Sequence, residues 1–222
     1  GGRVLYMTNS VRTALLQKVS FRLINPAQHN YLIISHPTLM QPALGYPDPV
    51  KAYAEYRAST SGGGFDTLTV SVNQLYDQFN YGEISPLAIY EFMKFMDASG
   101  DPRFLFLLGK GLEVTFDYHR KSSHAPGDFH DLVPPAGIPA GDMAYTAGLA
   151  GSSYEPGIPV GRLTASTSTQ VAAYLNKVKE TEALVFDALW RKDLLHLSGG
   201  IQAGEPQLFR QFIKVNMGVF HK

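Results

Sequence analysis

YLIIS at Tyr31–Ser35, closed by His36-Pro37, is a continuous apolar run without alternation. A strand of that kind is buried on both faces, the situation of a parallel sheet covered by helices on either side. Two further runs follow: Phe65–Val72 (FDTLTVSV), alternating and rich in β-branched residues, and Phe104–Leu108 (FLFLL), again apolar throughout. Between the first two, Val50–Arg57 carries helix formers and aromatic residues and stops at Ser61-Gly62-Gly63-Gly64. Between the second and third, Ser85-Pro86 is a helix start, because Ser accepts from the first free N–H groups and Pro suits the first helical position. Ile89, Phe92, Met93 and Met96 then fall at i, i+3, i+4, i+7 on one apolar face, and Gly100 ends the segment. Strands alternating with helices predict an α/β fold with a mainly parallel sheet.

Outward from this centre the pattern is less regular. Val4–Met7 and Val19–Ile24 read as a short N-terminal antiparallel β segment. Leu112–Gly141 has no period, and an irregular stretch of that length in a compact domain is usually functional or mobile. Met143–Thr146 and Ile158–Leu163 read as short strands. Thr167 or Ser168 caps a helix with the apolar face Val171, Tyr174, Leu175 and Val178. Asp193–Leu197 reads as another strand. A turn from Gly199-Gly200 to Glu205 leads into a last helix with Leu208, Phe209, Phe212 and Ile213.

Composition excludes several classes of function. The 222 residues suffice for one large α/β domain, or one domain with an appendage. Nineteen basic and nineteen acidic residues cancel without any basic run, so no nucleic-acid or anionic-membrane partner is predicted. No apolar run approaches the ~18–20 residues that span a bilayer, which predicts no membrane insertion. Gly1-Gly2-Arg3 leads into a mixed segment without the apolar core of a signal peptide. The absence of cysteine removes disulfides, thiolate metal sites and a Cys nucleophile from these residues.

Familiar motifs fail on inspection. Gly109-Lys110-Gly111 is not a phosphate loop, since Phe104 stands where Gly is required and Gly111 where Ser or Thr is required. The dinucleotide pattern fails at Val114. Ser152 and Ser153 lack the Gly-x-Ser-x-Gly context of a serine hydrolase. His36, at a strand end, is either a ligand-facing residue of the sheet edge or a structural His before Pro37. Glu113, Asp117, His119, His124, Asp128, His130 and Asp131 share one loop, but match neither an EF-hand nor the usual zinc spacing. A solvated polar loop is the favoured reading. No cofactor is predicted, with calcium in this loop as the alternative.

Several segments, in order, resemble the gingipain-type cysteine peptidases, most closely the sortase of bacterial type IX secretion. These are YLIISHP at Tyr31–Pro37, NQLYDQFNYGEISPLAIYEFMKF at Asn73–Phe95 and RFLFLLGKG at Arg103–Gly111. They continue with Asp142-Met143-Ala144-Tyr145 as an Asp-x-x-Tyr element, IPVGRL at Ile158–Leu163, and the segment around Trp190-Arg191. Lys110 departs from the acid usual at its place. The resemblance implies a caspase-like three-layer fold, truncated, with residues 1–28 ending a preceding β segment. Residues 29–198 would form the gingipain-like α/β subdomain, and residues 199–222 would open the second, catalytic one.

The resemblance also implies a Cys–His dyad, in which the imidazole generates the nucleophilic thiolate. Its strands are expected beyond Lys222, so no catalytic residue is assigned here and the chain alone is expected to be inactive. By resemblance the partners are protein substrates with a C-terminal sorting domain and other secretion components, at the cell surface. A carboxylate near the place of Glu205 reads the substrate side chain in arginine-specific members. A surface acid favoured by the helix dipole is the preferred reading of Glu205. The alternative for the whole chain is a non-catalytic caspase-like binding or assembly module of a surface complex.

Overall fold

The computed structural model describes residues 18–113, 131–185, 193 and 198–220. The chain divides into two units, Gly1–Glu180 and Thr181–Lys222.

The first unit is built on four parallel strands: β1 (Tyr31–Ser35), β2 (Thr67–Ser71), β3 (Phe104–Leu108) and β4 (Val160–Leu163), in the order β2-β1-β3-β4. Their register is even, with Tyr31 opposite Thr67 on one side and Phe104 on the other. β1 is buried at every residue, as its unbroken apolar run requires. β2, at one end of the sheet, alternates between half-buried and buried residues, matching TLTVS.

Side chains alternate across the sheet and make two cores. Leu32, Ile34, Leu68, Val70, Leu105 and Leu107 face helices α2 (Val72–Phe79) and α3 (Leu87–Ser99). Tyr31, Ile33, Phe106 and Leu108 face α1 (Pro49–Ala58) and α4 (Ser168–Glu182). The result is the expected three-layer, parallel α/β arrangement, consistent with a caspase-like peptidase fold.

Local chemistry sets the helix starts. Asp48 Oδ1 accepts from the N–H groups of Val50 (2.9 Å) and Lys51 (3.0 Å), with Pro49 opening α1. Ser85 Oγ accepts from Leu87 N–H at 3.2 Å, so the Ser-Pro start acts as the sequence implies. At α4, Thr167 Oγ1 accepts from Gln170 N–H at 3.3 Å while Gln170 Oε1 accepts from Thr167 N–H at 3.2 Å. This is a reciprocal capping box.

Four readings of the sequence need correction. Val19–Ile24 forms no strand: Arg22 exchanges main-chain hydrogen bonds with the Gln78 side chain, and its Nη1 donates to Thr69 O at 2.8 Å. Side chains thus satisfy a segment that a ladder was expected to hold. The second strand ends at Ser71, not Val72, and Val72–Phe79 is a helix to which the sequence pattern assigned no element, because Val72, Leu75 and Tyr76 bury together on one core. Met143–Tyr145 is a 3-10 turn, not a strand; Tyr145 is 1% exposed and its hydroxyl donates to Pro134 O. The strand expected over Ile158–Leu163 begins only at Val160. Val4–Met7 and 194–197 of the expected later strand lie outside the described residues.

In the second unit, α5 (Glu205–Phe220) follows a turn through residues 201–204. Among the described residues no helix is long and apolar enough to cross a membrane.

Candidate functional site

Four parallel strands place their carboxyl ends along one edge, and the strand order reverses between β1 and β3. Open α/β sheets bind ligands at such an edge. β1 hands over there to His36, β3 to Gly109-Lys110-Gly111 and β4 to Thr164.

The loop returning through residues 131–142 lies directly on the end of β3. Leu132 and Val133 N–H groups donate to Lys110 O (2.8 and 3.2 Å), and Lys110 N–H donates to Ala165 O at 2.8 Å. The approach is close enough to demand glycine. A Cβ on Gly109 would stand 2.7 Å from Val133 Cγ2, and one on Gly111 would stand 2.7 Å from Pro135 Cδ and 2.8 Å from Val133 O.

Arg162, on β4, organises this loop. Its Nε and Nη2 donate to Asp142 Oδ2 and Oδ1, both at 2.7 Å, a bidentate pair with side chains 13% and 22% exposed. Nη1 donates to Gly109 O and Val133 O at 2.7 Å each, and Nη2 reaches Pro134 O at 3.4 Å. One guanidinium therefore joins β4, the end of β3 and both arms of the loop.

Nearby, Glu113 Oε2 accepts from Ala140 N–H at 2.6 Å, and Asp131 Oδ1 accepts from Leu112 N–H at 3.0 Å. Burial pushes the Tyr76 and Tyr145 phenols well above their usual range, with the Asp131 charge adding to both. Both hydroxyls stay protonated, and that of Tyr145 donates to Pro134 O. A cavity of about 200 Å³ remains, lined by Gly111, Glu113, Pro135, Gly141, Asp142 and Arg162 among others.

With its donors engaged by the protein, Arg162 shapes the cavity wall and is not a free cation for a ligand. Two larger hollows, of about 440 and 620 Å³, run along helices and not at the strand ends.

The family model for Peptidase family C25 matches residues 24–219. The chain belongs to that family, the gingipain-type cysteine peptidases. No curated protein and no solved structure matches it. The family's chemistry needs a thiolate, and none of these 222 residues is a cysteine.

The structure also brings together what a linear reading of this C25 chain left apart: the Asp-x-x-Tyr element and the IPVGRL strand meet through Asp142 and Arg162. The signal available in sequence was an Arg at a strand end and an acid in an irregular loop, which names no partner for either.

Glu205 lies in the second unit. Its Oε2 accepts from the N–H groups of Ile201 (2.9 Å) and Gln202 (3.0 Å), and these bonds hold its carboxyl below the usual carboxylate range. The carboxylate closes the turn that precedes α5. His36 Nδ1 accepts from Thr38 N–H at 3.2 Å and shares a 2.9 Å bond with Thr38 Oγ1. Burial lowers its pKa, which favours neutral imidazole in a capping role. Ser152 Oγ donates to Glu155 O at 2.6 Å and belongs to a turn.

Of the acidic and histidine-rich loop, Glu113 and Asp131 are placed as above, while 117–130 lies outside the described residues. Among the described residues no group of His, Asp and Glu is arranged to hold a metal ion.

Proposed function

We propose that this C25 chain is the scaffolding part of a sortase-like peptidase, which removes a C-terminal sorting domain from secreted cargo at the bacterial surface and transfers the cargo to an anchor. In this reading residues 29–198 form the α/β subdomain and residues 199–222 open the catalytic one. The Cys–His pair comes from outside these residues. The observation that carries the reading is the family match over residues 24–219 in a chain without cysteine.

Peptide hydrolysis by this route needs a thiolate, a base that generates it and donors for the oxyanion. The chain supplies none of the thiolate chemistry. It supplies a rigid carboxyl edge, held by Arg162 and Asp142, as one wall of a cleft. Positioning of that kind contributes through orientation, and small displacements are costly to rate.

The test uses a cargo protein bearing its C-terminal sorting domain. The 222-residue chain should leave it intact over hours, and the parent protein should cleave it in a reaction abolished by thiol alkylation. Turnover by the chain alone, or unchanged cargo processing in cells lacking the parent, overturns the proposal.

A further inference from the structure

The strand register sets Ser35, the last residue of β1, directly opposite Ser71, the last residue of β2. Parity places both side chains on the α1 side of the sheet, with Ile33, because Ile34, Val70 and Val72 belong to the opposite core. Ser71 occupies the N-cap position of α2, yet its hydroxyl makes no capping bond. It faces away from the helix it precedes.

Ser35 is fully buried. Its Oγ and that of Ser71 have almost no exposed surface and, among the described residues, no hydrogen-bond partner. A hydroxyl in that situation has given up its bonds to bulk water without replacement, a state that buried polar groups rarely keep. The ladder pairs the main chains of β1 and β2, and the core cluster on this face of the sheet is built from aliphatic and aromatic side chains.

Geometry selects the remedy. Neighbouring strands run about 4.8 Å apart. Hydroxyl-to-water bonds are about 2.8 Å long. One water between two oxygens therefore spans up to about 5.6 Å, which suits a pair of serines in register.

We infer that a single ordered water bridges Ser35 Oγ and Ser71 Oγ, pinning the carboxyl ends of β1 and β2 where the chain turns to His36 and into α2. Thr69 Oγ1 is also buried and, among the described residues, without a partner. It sits two residues back on the same face, about 6.6 Å along the strand, beyond reach of the same water.

A double-mutant cycle tests the bridge. Ser35→Ala and Ser71→Ala should each lower Tm by about 2–4 °C, and the double variant should fall no further than the more affected single one, because either truncation releases the same water. Full additivity, or a Tm unchanged or raised by either alanine, overturns the inference. A high-resolution crystal structure gives an independent reading. Density within hydrogen-bond distance of both hydroxyls is expected, and a dry gap or a direct Ser–Ser bond refutes it.

Discussion

Arg162 on β4 and Asp142, twenty residues earlier, meet through two parallel hydrogen bonds of 2.7 Å. The same guanidinium also holds the carbonyls of Gly109, Val133 and Pro134. The pair thus ties the loop over the carboxyl edge to the sheet itself, and its removal should be felt in the loop before the rest of the fold.

Asp142→Asn keeps the shape and removes the charge. Breaking a buried pair costs about 3–5 kcal/mol, and the partial exposure of this one reduces the expected loss to about 1–3 kcal/mol. Arg162→Lys should cost more than Asp142→Asn, because an ammonium cannot reach the carboxylate and the carbonyls together. Thermal unfolding of both variants checks the order. Limited proteolysis should show earlier cutting between residues 131 and 142.

Gly111→Ala puts a methyl group into contact with Pro135 and Val133 O. Overpacking of this kind costs about 1–3 kcal/mol. Gly141→Ala, in the returning loop that packs on Gly111, meets nothing within 4 Å and should be close to neutral. Denaturant midpoints of the two variants distinguish steric contact from a general sensitivity of the loop.

β2 ends the sheet, and Arg22 places its guanidinium on the Thr69 carbonyl at that edge. Open strand edges pair with other chains. Arg22→Ala should change Tm little, by less than about 1 kcal/mol in stability for an exposed contact. It should raise the mean particle mass at high concentration, as read by light scattering. An unchanged mass would show that Arg22 does not guard the edge.

The Glu205 carboxyl sits below its ordinary value of 4.5 in the folded chain, through bonds from the Gln202 and Ile201 N–H groups. A lowered folded pKa means that its contribution is fully present above the unfolded value and is lost as pH falls through the folded one. The Ile201 and Gln202 amide signals should therefore move with an acidic midpoint below 4.5, and the start of α5 should fray there. Glu205→Gln should remove that titration.

The layered α/β class, strands β1, β2 and β3 and the capped starts of α3 and α4 were legible in the chain, because burial imposes periodicity on neighbouring residues. YLIIS and FLFLL can satisfy their backbones and hide their side chains only inside a parallel sheet. α2 escaped that reading because its apolar residues, Val72, Leu75 and Tyr76, are few and follow straight on from β2. Tyr145 read as strand because its alternation came from one buried ring on a tight turn.

Of the site, the sequence by itself determined the ingredients: a Gly-Lys-Gly strand end, an acid in a loop and an Arg on a strand, with no cysteine among them. Only the tertiary structure decided that Arg162 faces Asp142 across twenty residues, and that Ser35 lies beside Ser71. Such pairings depend on crossovers and register, which bring distant residues together without leaving a period in the chain.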